Sequence, residues 1–154
     1  MKRGARGTLL GMGVALSVGC SHAAPNATPE GAVRAWIEHM EDSAGDPAEA
    51  KEAYALLGPR ARQNLEARAA RASQIEGRRA QPIEMLAEGR FGLKFRPKAM
   101  HATLTGADAV VDVTGDDPAA EHARVLCTRE GSAWHVEPEL PEVSALPRRA
   151  DGGT

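Results

Sequence analysis

Residues Met100 to Val113, MHATLTGADAVVDV, carry the clearest fold signal in the chain. Apolar and polar residues alternate on both sides of Gly106-Ala107, which is typical of two antiparallel strands joined by a tight turn. A two-residue loop at this point pairs Thr105 with Asp108. Counting back gives three pairs in which both members are apolar: Leu104 with Ala109, Ala102 with Val111, and Met100 with Val113. The register and the hydrophobic pattern therefore agree, as a folded hairpin requires.

A second hairpin is predicted after the polar loop Gly115 to Ala120. With its turn at Glu130-Gly131, the same counting sets Cys127 opposite Trp134 and Val125 opposite Val136 on the apolar face. On the other face it pairs Arg124 with Glu137 and Leu126 with His135.

The first half of the chain has helical periodicity instead. Thr28-Pro29 and Asp46-Pro47 are helix starts, and Pro59 begins a third helix that ends at about Glu76, before Gly77. We therefore predict an α+β fold in which three N-terminal helices pack on an antiparallel sheet of about four strands. The positions expected to face the core are Val33, Trp36, Ile37 and Met40 in the first helix; Ala50, Ala53, Tyr54 and Leu57, before the stop at Gly58, in the second; and Ala61, Leu65, Ala69, Ala72 and Ile75 in the third.

The composition limits the classes of protein that the chain can be. Its 154 residues are 42% hydrophobic and 26% charged, with 19 Lys and Arg against 21 Asp and Glu, which excludes a polytopic membrane protein and a strongly basic nucleic-acid binder. Only 3% of the residues are aromatic, so a groove built on aromatic stacking is not expected.

The N-terminus has the pattern of an export signal. Lys2, Arg3 and Arg6 precede an apolar run of twelve residues from Thr8 to Gly19. Twelve residues rise only about 18 Å as a helix, against a hydrocarbon core of about 30 Å, so a cleaved signal fits better than a permanent transmembrane span.

The end of this run, Leu16-Ser17-Val18-Gly19-Cys20, resembles the bacterial lipobox, although Ser17 stands where that motif usually has Leu. The resemblance implies a signal peptide over residues 1–19, a lipid-modified Cys20, and a location in the bacterial cell envelope facing the periplasm. Inner-membrane retention is associated with an Asp directly after the lipid-modified Cys. Because Ser21 stands at that position, the resemblance favours a location in the outer membrane. The alternative is ordinary signal-peptidase cleavage after Ser21-His22-Ala23, which would remove Cys20.

The mature chain divides into a lipid-anchored tether at 20–27, one domain at 28–140 and a disordered tail at 141–154. The Thr-Pro-Glu helix start, the segment Tyr54 to Pro59 (YALLGP) and the strand Gly131 to Val136 (GSAWHV) resemble the nuclear transport factor 2-like superfamily. This resemblance implies a cystatin-like cone, in which a curved sheet wraps the helices. The superfamily includes isomerases, dehydratases and many non-enzymatic modules, so the fold does not decide the function.

Enzymes of that superfamily place acids, His or Tyr inside the cone, whereas the inward strand positions here are apolar. We therefore assign no catalytic residue and no cofactor, and name weak candidates for ligand or partner contact. His101 is predicted opposite Asp112 on the outer face of the sheet, and His135 continues this row. The pair either orients His101 as a base or ligand, or is an ordinary solvent-facing cross-strand pair. Tyr54 and His39 are the first suspects should the interior hold a pocket.

Two further features have a functional and a structural interpretation. Cys127 is either a reactive thiol or a buried packing residue, and no cation is predicted near it. The third helix is rich in Arg, which fits contact with anionic lipid or with an acidic partner, or an ordinary solvated helix face. No HExxH or CxxC metal motif occurs in the chain.

The leading hypothesis is a lipid-anchored cell-envelope protein with a non-catalytic binding or interaction domain. Its partners are the membrane, through the N-terminal lipid, and an envelope protein or a small ligand, but not nucleic acid. The alternative is a small-molecule-binding or isomerase-like enzyme of the same superfamily.

Overall fold

The computed structural model describes residues 23–86 and 93–143. Within these ranges three helices come first: α1 (Pro29–Asp42), α2 (Pro47–Ala55) and α3 (Pro59–Glu76). Four strands follow: β1 (Ala99–Thr105), β2 (Asp108–Thr114), β3 (His122–Glu130) and β4 (Ala133–Glu137). The strands form one antiparallel sheet in the order β1-β2-β3-β4. The predicted α+β class is confirmed. Short 3₁₀ turns lie at Pro25–Ala27 and Pro82–Met85.

The first two helices begin with caps that the sequence contains locally. Thr28 Oγ1 accepts a hydrogen bond from the Gly31 amide at 3.1 Å, and Asp46 Oδ1 accepts one from the Ala48 amide at 2.8 Å. Each bond satisfies an amide that the first helical turn would leave without a partner. The third helix ends as predicted, with Gly77 in the left-handed region at φ 68°.

The predicted register of the first hairpin is confirmed pair by pair, from Thr105 with Asp108 to Met100 with Val113. The register of the second hairpin is wrong by two residues. Its turn lies at Gly131-Ser132, so Cys127 pairs with Val136, Arg129 with Trp134 and Leu126 with Glu137. A shift of two keeps every side chain on its predicted face.

Both hairpins place a glycine at the first turn position. Gly106 and Gly131 each have φ 64°, and no other residue type has a positive φ within 23–86 and 93–143. A turn with positive φ at its first central position only is the type II′ pattern, for which glycine is preferred there. A turn at Glu130-Gly131 would have put Glu130 at that position, which explains why the structure uses the next pair.

The core lies between α1 and the inner face of the sheet, with contributions from the α2–α3 junction and from α3. Two residues predicted to be inward are instead exposed: Ile75 at 68% and Leu104 at 61%. Both lie one residue before the end of their elements, α3 and β1, while Ala50, Tyr54 and Ala72 are half-buried. The buried cluster consists of Ala32, Val33, Trp36, Ile37, Met40, Ala53, Leu57, Ala61, Leu65, Ala109, Val111, Val113, Val125, Cys127, Trp134 and Val136.

The edge of β4 is covered by the connection between α2 and α3. The Gly58 amide donates to the Val136 carbonyl, and the Val136 amide donates to the Leu56 carbonyl, both at 2.8 Å. Leu57 thereby forms a short parallel bridge with Val136. The sequence predicted Gly58 as the stop of α2, but α2 ends at Ala55 and Gly58 is the N-cap of α3.

Several predictions fall on residues that the structure does not describe. The signal peptide at 1–19 and Cys20 lie outside the described residues, as does most of the predicted tail. Pro141, at the start of that tail, is described, and its carbonyl accepts hydrogen bonds from Asn64 at 3.2 Å and Arg68 at 2.7 Å. Among the helices of the described segments, none combines the length and apolar character needed to span a bilayer.

Candidate functional site

The space between helices and sheet is filled by apolar side chains. Val33, Trp36 and Met40 of α1 meet Val111 and its neighbours on the sheet with almost no exposed surface. The Trp36 indole Nε1 is buried without a hydrogen-bond partner. A buried polar group without a partner is costly, and the residues around the ring in the core cluster are apolar.

Cys127 is part of this packing. Its side chain is buried, and its Sγ lies 4.0 Å from the Pro29 carbonyl oxygen. Burial, with smaller contributions from the carboxylates of Glu30 and Glu137, raises the pKa of the Cys127 thiol to about 12. Because the thiolate is the reactive form, this environment favours the packing interpretation over the reactive one.

His101 and Asp112 are cross-strand partners, as predicted. Both are exposed, and no hydrogen bond joins their side chains among the contacts of the described residues. Asp112 is instead 3.5 Å from Arg124 Nε, and Arg124 is its partner on β3. An exposed row of this kind contributes little stability and encloses no ligand.

His135 does not continue the row of His101, because the shifted register places it opposite Thr128. It belongs to a separate cluster with Arg62 and Glu130. Arg62 Nη2 donates to Glu130 Oε2 at 2.7 Å, and the same oxygen is 3.6 Å from His135 Nε2. The His135 side chain is only 14% exposed, and its Nδ1 is buried without a partner.

Tyr54 is electrostatically linked to this cluster. Burial raises the pKa of the Tyr54 hydroxyl, the charge of Glu66 raises it further, and the charge of Arg62 opposes the change. Arg62 acts on Tyr54 through its charge, and among the described residues no hydrogen bond or ion pair joins Tyr54 to Arg62, Glu130 or His135. The cluster itself combines a guanidinium, a carboxylate and an imidazole.

His39 is placed elsewhere. Its Nδ1 lies 2.5 Å from Glu49 Oε2, and both side chains are about one third exposed. This contact joins α1 to α2 and accounts for the histidine as a structural residue.

Several Arg side chains of α3 and of the segment that follows it have partners within the domain. Arg62 pairs with Glu130, Arg78 with Glu76 and Glu84, and Arg68 donates to Asn64 and to the Pro141 carbonyl. The charges of Arg62 and Arg78 are therefore partly balanced by carboxylates, whereas Arg68 keeps its charge because its acceptors are neutral.

Unpaired charges occur instead around a groove of about 270 Å³ between α1 and the chain entering β1. We call it the α1–β1 groove. Within the described residues, the side chains of Arg34, Arg96, Glu38 and Glu41 make no ion pair, and Lys98 lies 3.4 Å from Asp116. Ile37, Pro97 and Met100 supply its apolar floor. The groove thus combines an apolar base with available charges of both signs.

Among the residues that the structure describes, the most buried charged one is Glu137, which sequence reasoning paired wrongly with Arg124. It is 4% exposed, and its carboxylate accepts from the Arg60 amide at 3.1 Å and the Ala61 amide at 2.8 Å. It caps α3, whose own N-cap, Gly58, has no side chain to do so. The sequence contained one indication of this contact. The start of α3 has no Ser, Thr, Asp or Asn cap and no acidic residue in its first turn, so a cap from elsewhere in the chain was to be expected.

No group of three or more His, Cys, Asp or Glu in the described segments is arranged to hold a metal ion. Comparison of the chain with protein-family models, with curated proteins and with solved structures gives no match. The candidate sites are therefore defined by geometry alone, and the superfamily resemblance stays a prediction.

Proposed function

We propose that this protein is a lipid-anchored component of the bacterial cell envelope whose domain serves as a binding or interaction module. The sequence supports the anchor through the basic and apolar leader that ends at Cys20. The observation that carries the module is the packed apolar interior, which leaves the available polar chemistry on the outside. The α1–β1 groove is the contact surface that we assign to a partner.

The anchor is tested by replacing Cys20 with Ala in the full-length protein. The unmodified chain is expected in the membrane fraction with acyl groups on Cys20, and the variant in the soluble fraction. Intact-mass analysis reads the modification directly. Persistence of the variant in the membrane, or a mature mass without acyl chains, would contradict the proposal.

The groove is tested by reversing its unpaired cations. Full-length protein carrying Arg34→Glu and Arg96→Glu should lose envelope partners that the unaltered protein retains from detergent extract. Arg79→Glu is the matched control, because Arg79 is exposed, makes no ion pair in the described structure and lies outside the groove. Equal capture by all three proteins would remove the groove from the proposal.

The Arg62–Glu130–His135 cluster favours a second candidate, a small-molecule-binding or isomerase-like protein. A nearly buried imidazole beside a carboxylate is a recurring acid–base arrangement. Thermal stabilisation by small carboxylates or carbonyl compounds, lost in His135→Gln and kept in His101→Gln, would favour this candidate. The same shift in both variants, or none in the parent, would favour the module.

A further inference from the structure

The segment that begins five residues after Cys20 is part of the folded domain. The 3₁₀ turn Pro25–Ala27 contacts both α1 and β4, and the Ala27 amide donates to the Ala24 carbonyl at 2.9 Å. Only the peptide units between Cys20 and Ala24 separate the predicted acylation site from this packed turn. Four such units span at most about 14 Å when fully extended.

Gly31 explains why the turn lies so close to α1. A Cβ at this position would overlap the Pro25 carbonyl oxygen and would lie 3.0 Å from Thr28 Oγ1. Any side chain at Gly31 must therefore move the turn away from the helix, because the atom in its way belongs to the backbone. The absence of a side chain at Gly31 thus permits the turn to pack against the first turn of α1.

The short covalent reach gives the domain a near and a far end. As α1 has 14 residues, it is about 21 Å long, so its last turn at Asp42 lies about that far along the helix from its start at Pro29, beside the packed turn. Residues 23–28, AAPNAT, form the near end, and none of them is charged. An uncharged surface meets a bilayer without the cost of removing charges from water.

We propose that the surface formed by Ala23–Thr28 lies against the headgroup layer of the membrane that holds the Cys20 lipid. It orients the domain with the start of α1 toward the bilayer and the α1–α2 turn away from it. This inference rests on the proposed lipid anchor, and it adds an orientation that the anchor alone does not require.

The test uses full-length protein in phosphatidylcholine vesicles that contain a headgroup spin-labelled lipid. A fluorophore is attached to Ala27→Cys in one variant and to Ala44→Cys in another; both positions are exposed, while Cys127 is buried. Quenching at position 27 is expected to exceed quenching at position 44 several-fold. Adding Gly31→Ala should reduce the difference, whereas Gly45→Ala, whose added Cβ has no neighbour closer than 3.9 Å, should not.

A Gly-Ser insertion after Ser21 gives the same readout without altering the packed turn, should Gly31→Ala fail to fold. The insertion is expected to reduce quenching at position 27. Acylated protein with equal quenching at positions 27 and 44 would overturn the orientation and leave the anchor standing. A mature chain whose mass shows no acyl group would overturn both.

Discussion

Replacing Glu137 by alanine should destabilise the domain through α3, although the two residues that it caps are more than seventy positions away in the chain. The carboxylate accepts the Arg60 and Ala61 amides at 3.1 and 2.8 Å. In Glu137→Ala both amides lose this acceptor. The Ala61 bond is buried, so that amide has no immediate access to water, whereas the Arg60 bond is only partly buried.

The expected loss in the free energy of unfolding is about 2–3 kcal/mol. Leaving a buried donor unsatisfied costs about 1–3 kcal/mol, and losing an N-cap costs about 0.5–2 kcal/mol. Removing a buried carboxylate also recovers part of its desolvation cost, which keeps the total below the sum of the larger figures. For a domain of this size the melting temperature should fall by about 8–12 °C.

Urea unfolding followed by circular dichroism measures the change, with Glu139→Ala as the matched control. Glu139 is exposed, and its replacement should change stability by less than about 0.5 kcal/mol. Gly58→Ala supplies a second arm, because its Cβ would lie 2.6 Å from Glu137 Cδ. Its cost should shrink in the Glu137→Ala background. Equal losses for Glu137→Ala and Glu139→Ala, or a Gly58→Ala cost that is the same in both backgrounds, would refute the capping interpretation.

Three other outcomes are expected. Burial raises the pKa of the Cys127 thiol to about 12, so its labelling at neutral pH, read by peptide mass mapping, should be as slow as global unfolding. The free energy of unfolding should fall as the pH rises from the ordinary thiol pKa toward 12, because the thiol of the unfolded chain ionises first. The Cys127→Ala variant should lack this pH dependence. Glu30 Oε1 accepts from the Ala102 amide at 3.0 Å, so hydrogen exchange at Ala102 should be faster in Glu30→Ala and unchanged in Glu38→Ala. Leu65→Ala should cost about 2–5 kcal/mol by urea unfolding, but Leu104→Ala less than about 1 kcal/mol, because Leu65 is fully buried and Leu104 mostly exposed; comparable costs would contradict the assigned core.

The correct predictions of the fold rest on local signals in the sequence, namely helix caps, glycine turns and the spacing of apolar residues. The first hairpin has its register fixed by a glycine turn and by two matching sets of apolar residues, so counting along the chain was sufficient. The second hairpin offers the same signals, but they fit a turn at Glu130-Gly131 as well as one at Gly131-Ser132. The positive φ at Gly131 requires the second of these turns. The buried faces were still correct, because an even shift in register does not exchange the faces.

The candidate sites depend on contacts that sequence spacing does not encode. Glu137 reaches α3, and Arg62 reaches Glu130, across more than sixty intervening residues. His135 could be identified as an outward residue, but its neighbours depend on how α3 lies against β4. The charges around the α1–β1 groove likewise could not be assigned from the sequence, because whether a charged side chain has an ion-pair partner depends on the fold.

The bridge between Leu57 and Val136 has a consequence for the order in which the chain can fold. Synthesis proceeds from the N-terminus, so all three helices are complete before β4 exists. Until Val136 and Glu137 are made, the α2–α3 connection lacks its strand partner and α3 lacks its acceptor. A nascent chain that stops before β4 therefore leaves the helical half unfinished, and completion of the last strand joins both halves into one cooperative unit.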